Sequence, residues 1–282
     1  MNRYAITTMN YLMATSIGVA LLLSTWWPSH SFDVSFEAFS AELRPVILEG
    51  RGSFSWQSSF VWALAVGVPA GVFYFLGFIY LQRSVRENGV GVTGSVAKLG
   101  ILVPMTLSIV FWRELPTPVQ WAGIGLAMMA ILVATLPEKG GGGSWLGRSL
   151  VLLFLTCGTA EFTNKLFQRY AEVGFRSLFL VAVFGTALIV SAENLRRMRI
   201  RLTLRDSLTG LWVGIPNLFA SWFLILALSR LNTSVVFTLY SAGSVVLITL
   251  GGVLLFGEQL RKRELAAICM TVAALLLINV LG

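Results

Sequence analysis

The sequence predicts an all-α, polytopic helical membrane protein. Of its 282 residues, 56% are hydrophobic and only 12% are charged, whereas about 25% of the residues of an ordinary soluble domain are charged. Apolar runs recur along the whole chain, and each approaches the roughly 20 residues that a helix needs to cross a bilayer. One proline-containing run is also written twice, which predicts an internal repeat. Lipid is therefore the expected solvent for most of the chain.

Charge and composition exclude several classes of function. The net charge is +8, but the arginines gather in short loops between apolar runs, most densely over 196–205, as membrane-flanking charge does. Nucleic acid is therefore not an expected partner. The two cysteines form no CxxC pair, and the sequence has no Walker loop, HExxH motif or Ser-His-Asp set, so we expect no metal, no cofactor and no enzyme activity.

Nine transmembrane helices are expected. Their ranges are 4–25, 58–80, 89–112, 119–136, 146–168, 175–195, 208–229, 233–256 and 264–281. The first run lacks a clear signal-peptide cleavage site and is interpreted as a retained helix. A long extramembrane loop over 26–57 should carry a short interfacial helix, and "PEKGGGGSW" at 137–145 has the composition of a flexible linker.

The repeated run relates the two halves of the chain. "VGVPAGVFYFLGFIYLQR" occupies 66–83 and "VGIPNLFASWFLILALSR" occupies 213–230, so that Pro69 and Pro216 are 147 residues apart. The matched helices are five places apart in the helix order. Five crossings reverse the direction of the chain, so the halves are expected to form an inverted repeat of five-helix units.

This repeat sets the expected domain organisation. The first repeat spans 1–136 with four helices and the long loop, the Gly-rich linker 137–145 follows, and the second repeat spans 146–282 with five helices. The first helix of the second repeat has no counterpart in the first half. The first repeat is therefore expected to lack its first helix, either because that helix lies upstream of Met1 or because the protein has nine spans rather than ten, and the sequence alone leaves both open.

Three stretches resemble a known family. They are "NGVGVTGSVAKLGILVPMTLSIVFWREL" in the third helix, "VGIPNLFASWFLILAL" in the seventh, and "NTSVVFTLYSAGSVVLITLGGVLLFGEQL" in the eighth. Together they resemble the EamA-type drug/metabolite transporter superfamily, most specifically over 208–281. The resemblance implies ten helices in two five-helix repeats and transport of small metabolites.

We therefore expect an integral-membrane secondary transporter that moves a small metabolite by alternating access. Its partners would be the lipid bilayer and a small-molecule solute, with proton coupling and a homodimer as further hypotheses. A plasma membrane or a bacterial inner membrane is the expected location. The alternative is a membrane scaffold or accessory protein, or an integral-membrane enzyme, without transport activity.

Lys98 is the first candidate for a substrate-binding residue. It lies near the middle of the predicted third helix, about 15 Å from either end, which is too deep for its side chain to reach the interface. A cation at that depth costs roughly 2.5–3.5 kcal/mol and must face protein or a water-filled cavity. Glu161 either lines the same cavity, as a counter-ion or proton-carrying carboxylate, or forms an i,i+4 pair with Lys165. For Lys98 itself, a structural ion pair is the alternative.

Asn217 is the polar member of the repeated motif. It follows Pro216, and a proline bends a helix and frees a backbone carbonyl. Bent helices near the midplane are where such folds bind solutes, although bending for packing alone is the alternative. Pro104 should bend the third helix in the same way. The aromatic candidates are Tyr74, Trp222 and Tyr240, whose polar tips need partners in a membrane and whose simpler role is packing.

Overall fold

The computed structural model describes residues 2–26, 36–50, 52–135, 147–256 and 262–279. The helices within these ranges are α1 Arg3–Trp26, α2 Phe36–Leu43, α3 Trp56–Leu99, α4 Leu102–Trp112, α5 Pro118–Thr135, α6 Arg148–Tyr170, α7 Arg176–Arg197, α8 Leu204–Leu228, α9 Thr233–Phe256 and α10 Lys262–Asn279. A π-helical turn, Arg44–Leu48, follows α2, and a 3-10 turn, Val173–Phe175, precedes α7. These ranges contain no strand, and the all-α prediction is confirmed. The predicted linker 137–145 lies outside the described residues.

Five of the described helices are long and apolar enough to cross a membrane. These spans are Arg3–Ser24, Trp56–Asn88, Arg148–Tyr170, Val173–Arg197 and Leu204–Leu228. Shorter apolar helices cover Val96–Trp112 and Pro118–Val133. The chain is therefore a multi-pass membrane protein, as its composition predicts. The long loop does carry a short helix, α2, as expected.

The predicted division of the segment that became α3 is wrong. The ranges 58–80 and 89–112 were expected as two helices joined by a turn, but residues 56–99 form one helix of 44 residues. A glycine inside a helix costs only about 1 kcal/mol, so Gly89 does not end it. Arg83 and Glu87, four residues apart, form an ion pair of 2.7 Å that a helix favours. The polar residues of the predicted turn are thus compatible with a continuous helix.

The chain does break inside the predicted third helix, between α3 and α4. Pro104 has no N–H, and its ring obstructs the carbonyl four residues earlier, at Gly100. That carbonyl instead accepts the N–H of Val103 at 3.0 Å, which is a tighter turn than an α-helix makes. The break therefore follows Lys98 directly, and the expectation that Pro104 distorts this helix is confirmed.

The described contacts divide the chain into two compact units. Unit 1 comprises Met1–Leu76 and Thr163–Ser229, and unit 2 comprises Gly77–Phe162 and Arg230–Gly282. Each unit therefore takes segments from both predicted repeats. In unit 1, α1 packs against α7 and α8; in unit 2, α5 packs against α9 and α10, and α4 against α9. The assignment of 1–136 and 146–282 as repeats stays a prediction.

Two glycines hold α8 against α1 in unit 1. A Cβ on Gly210 would lie 2.5 Å from the carbonyl oxygen of Ile6, and a Cβ on Gly214 would lie 2.6 Å from that of Asn10. Small residues four apart let two membrane helices approach closely. Gly214 belongs to the repeated VG-x-P motif, and its counterpart Gly67 makes a similar approach to α7. The motif therefore places a glycine at a helix contact in both of its copies.

Candidate functional site

The six candidate residues divide equally between the two units. Tyr74, Asn217 and Trp222 belong to unit 1, and Lys98, Glu161 and Tyr240 belong to unit 2. The two groups are therefore described in turn. Their roles in binding a solute stay predictions.

Tyr74 is the centre of a buried hydrogen-bond cluster in unit 1. Asn164 of α6 donates from Nδ2 to the Tyr74 hydroxyl at 2.9 Å. That hydroxyl also lies 3.4 Å from the Ser221 Oγ of α8. Asn164 is fully buried and Ser221 is 7% exposed. Three helices thus bring together two hydroxyls and an amide, all uncharged, inside an apolar bundle.

Asn217 lies one turn before Ser221 on α8 and bonds to α1. Its Nδ2 donates to the Oδ1 of Asn10 at 3.1 Å, and Asn10 is buried. Tyr11, the next residue of α1, donates from its hydroxyl to the carbonyl oxygen of Tyr74 at 3.2 Å. The polar contacts of α1 therefore continue into the Tyr74 cluster.

Trp222 lies under an arginine that sequence reasoning missed. The guanidinium carbon of Arg176 is 4.2 Å from the centre of a Trp222 ring, which is a close cation–π contact. Within the described ranges no carboxylate pairs with Arg176. Lys165 of α6, considered above only as a partner for Glu161, is 4% exposed. Unit 1 therefore contains cations inside membrane segments, and neither was singled out as a binding group from the sequence.

Lys98 and Glu161 interact electrostatically in unit 2. The Nζ of Lys98 donates to the Oγ of Ser244 at 2.6 Å. The carboxylate of Glu161 and the thiol of Cys157, both on α6, lie within electrostatic range of the ammonium group. A Cβ on the intervening Gly158 would lie 2.5 Å from Val103, so α6 packs tightly on the α3–α4 break. The proximity of Lys98 and Glu161 fits both a coupling site and a structural ion pair.

The remaining features are less specific. Tyr240 of α9 is 36% exposed, which suits a packing role as well as a binding one. No group of three or more His, Cys, Asp or Glu residues lies together within the described part of the chain. A cavity of about 350 Å³ in unit 1 includes none of the six candidates; it is lined by Phe75, Ile189, Val190, Glu193, Asn194 and Arg197.

The partner of one candidate, Tyr74, follows the spacing of the repeat, and the partner of Lys98 falls one residue short of it. Tyr74 and Ser221 are 147 residues apart, which is also the spacing of Pro69 and Pro216. Lys98 and Ser244 are 146 residues apart. If the predicted repeats are related by a twofold axis, a residue close to that axis contacts its own counterpart. Adding the repeat spacing to Tyr74 would have found Ser221 from the sequence, whereas adding it to Lys98 gives Val245 rather than Ser244, and no such rule finds Asn164.

Comparison with known proteins shows that the chain is similar to transport proteins. The family model for the Small Multidrug Resistance protein matches residues 177–271. The glucose uptake protein GlcU of Staphylococcus xylosus is 29% identical over 218 residues, which are 73% of this chain and 72% of that protein. GlcU of Bacillus subtilis is 27% identical over 217 residues, 73% of each. A protein of Lactiplantibacillus plantarum, provisionally named for sugar uptake, is 26% identical over 214 residues, 71% of this chain and 72% of that one.

A solved crystal structure shares the fold. The superposition covers 100% of this chain and 90% of the solved chain, with a TM-score of 0.69 and 16% sequence identity. The chain is similar to membrane transporters of small solutes. It is a multi-pass protein of a bacterial membrane, and the relatives' names agree with the expectation that it is not an enzyme. The comparisons do not name the narrower EamA-type superfamily, and that resemblance stays a prediction.

Proposed function

We propose that the protein is a secondary transporter that moves a sugar across the membrane by alternating access. The names of the relatives, which include glucose uptake proteins from two genera, support this solute class. The helical membrane fold and the predicted inverted repeat support the mode of transport. We also propose that the proton is the coupling ion, because Glu161 is a carboxylate within the membrane region and in electrostatic range of Lys98.

The Tyr74 cluster is the single observation that carries the sugar proposal. A sugar presents uncharged hydroxyls, each of which donates and accepts hydrogen bonds. The Tyr74 and Ser221 hydroxyls do the same, and the Asn164 amide supplies both a donor and an acceptor. A site built from such groups rejects an apolar solute because its buried polar atoms would lose their partners. The cluster therefore suits a neutral, hydroxyl-rich solute better than an ion.

Sugar counterflow tests this proposal directly. Purified protein in liposomes loaded with unlabelled glucose should accumulate external labelled glucose without any ion gradient. Tyr74→Phe removes one hydroxyl from the cluster and should weaken the apparent affinity about tenfold, the equivalent of a lost hydrogen bond of about 1.4 kcal/mol. Tyr4→Phe makes the same change outside the cluster and should leave the affinity unchanged.

Two outcomes would contradict the proposal. Folded wild-type protein that shows no counterflow with any hexose or pentose would exclude sugar transport. Tyr74→Phe with wild-type affinity would separate the solute site from the cluster and leave transport itself intact.

A further inference from the structure

One face of α9 carries hydroxyl groups along half its length. The five residues are Thr233, Ser234, Thr238, Ser241 and Ser244. At 100° per residue they fall within an arc of about 140° on the helix. The first four are at most 2% exposed. A helix of a membrane protein that buries so many hydroxyls on one side calls for an explanation, since apolar residues would pack there at no polar cost.

Charged groups lie at both ends of this hydroxyl face. At the start of α9, Glu114 accepts through Oε2 from the Thr233 hydroxyl at 2.6 Å and from the Thr233 N–H at 3.3 Å. Eleven residues later, Ser244 accepts from Lys98 at 2.6 Å. At 1.5 Å per residue the two contacts are about 16 Å apart along the helix, which is about half the thickness of a bilayer core.

Three hydroxyls in this region have no protein partner. Within the described residues, the oxygens of Ser234 and Thr238 on α9 and of Ser108 on α4 are buried and make no hydrogen bond. Val235, next to Ser234, packs against Met105 of α4, so α4 and α9 meet at this level. Serine and threonine in helices can bond the carbonyl one turn back, and these three do not.

Water is the hydrogen-bond partner that suits these three buried hydroxyls. A buried hydroxyl without a partner is costly, and water satisfies it because water donates and accepts at once. Buried waters in proteins bridge otherwise unsatisfied polar groups. No metal ligand set is present among the described residues.

We propose that the hydroxyl face of α9 is a water-filled path that carries protons from Glu114 to the Lys98–Glu161 pair. A hydronium ion at the Glu114 end gives up one proton, and each hydroxyl or water along the path accepts one proton and releases another. The Glu161 carboxylate takes the last proton and becomes a neutral acid, so that one proton enters and none is created. The path's role in driving uptake rests on the proposed function, whereas its hydration does not.

The hydration of the path is tested at a cysteine near its Lys98 end. Cys157 lies within electrostatic range of Lys98, and Cys269 is the other cysteine of the sequence. In a Cys269→Ser background, the infrared S–H stretching band reports Cys157 alone, and its loss in heavy water measures access of water. Thr238→Val removes one orphan hydroxyl and should slow this exchange about tenfold, as the loss of one hydrogen-bonded step of about 1.4 kcal/mol does.

Controls separate the path from general packing effects. Thr7→Val makes the same substitution at a buried threonine of unit 1, whose hydroxyl donates to the Arg3 carbonyl at 2.8 Å. In this variant the S–H exchange of Cys157 should keep the wild-type rate. Thr238→Ser keeps the hydroxyl and should restore fast exchange. Should Thr238→Val fail to fold, Ser234→Ala makes the corresponding test. Equal exchange rates in the wild type and in the folded variants that lack a hydroxyl, Thr238→Val and Ser234→Ala, would overturn the proposal.

Proton flux tests the path during transport. In liposomes that contain a pH-sensitive dye, Thr238→Val should take up fewer protons per sugar than the wild type, while counterflow without a gradient is unchanged. Wild-type counterflow with no accompanying proton uptake would overturn the role in coupling. Absence of counterflow would contradict the sugar proposal instead, and the S–H exchange would still decide whether the path is hydrated.

Discussion

The contact between α1 and α8 predicts the effect of adding a single methyl group. In Gly214→Ala, the new Cβ would lie 2.6 Å from the carbonyl oxygen of Asn10 and 2.6 Å from the Cβ of Met13. Ordinary contact begins at 3.4 Å. Because a backbone oxygen cannot rotate away, α1 and α8 must separate by about 0.8 Å, the difference between these distances.

That separation has two costs. Overpacking of this kind costs about 1–3 kcal/mol. The Asn217–Asn10 hydrogen bond, now 3.1 Å, would lengthen to about 3.9 Å, which is beyond hydrogen-bonding range. Its loss adds about 0.6 kcal/mol, the average for such bonds between membrane helices. The total expected loss from packing is therefore about 2–4 kcal/mol.

A matched glycine removes the effect of helix propensity. Alanine gains up to about 1 kcal/mol over glycine in a helix. Gly125 of α5 has no atom within 4 Å of an added Cβ, so Gly125→Ala measures that gain alone. The difference between the two variants should therefore be the packing loss. Titration with SDS in mixed micelles, followed by fluorescence of the nine tryptophans, measures both. Equal stability of Gly214→Ala and Gly125→Ala would refute the argument.

Three further predictions follow from the same contacts. Lys98→Ala should abolish solute transport in vesicles at unchanged protein level, because the Ser244 contact and the charge near Glu161 are both lost. Asn10→Ala and Asn217→Ala, combined in a double-mutant cycle, should show a coupling energy of about 0.6 kcal/mol in the SDS titration. Burial raises the pKa of Glu42, but hydrogen bonds from Ser55 outweigh it and leave the pKa below its ordinary value. The stabilisation from Glu42 is therefore present above its unfolded-state pKa and lost as pH falls through the folded value. Amide hydrogen exchange at Ser55, which bonds Glu42 at 2.9 Å, should then accelerate in acid relative to its intrinsic rate, and Glu42→Gln should remove that acid-specific change.

Each of these has a clear contrary result. Undiminished transport by Lys98→Ala would remove the residue from the site. Strictly additive effects in the asparagine cycle would show that the hydrogen bond contributes nothing. An acid profile that Glu42→Gln leaves unchanged would assign the pH dependence of the loop to another group.

The helices were predictable because lipid leaves the chain little choice. Apolar runs of about 20 residues must satisfy their backbone groups within the segment, and α9 has the predicted bounds Thr233–Phe256. The continuity of α3 could not be predicted from the turn-forming residues Asn88 and Gly89, because an asparagine and a glycine weaken a helix only slightly. The two units could not be predicted either, since each combines segments that are far apart in the chain.

The candidate site was predictable only where a residue is unusual for a membrane. Lys98 and Glu161 stand out because charge is rare within a membrane segment, and the structure places them within electrostatic range of each other. Asn164 and Ser221 do not stand out, because small polar residues are common in membrane helices and acquire meaning only from their partners. Arg176 was overlooked because it lies at the end of an apolar run, where an arginine usually marks the interface.

The contact of Tyr74 with Ser221 joins a long side chain to a short one at matching positions of the repeated motif. Two tyrosines facing each other at such a position would collide, and two serines would leave a void. In the predicted repeat, the two copies of the motif are therefore expected to differ there, and a substitution that alters side-chain length in one copy is expected to need the opposite change in the other. If the halves descend from one ancestral segment, this position records where identity could not be kept once both copies were joined in one chain.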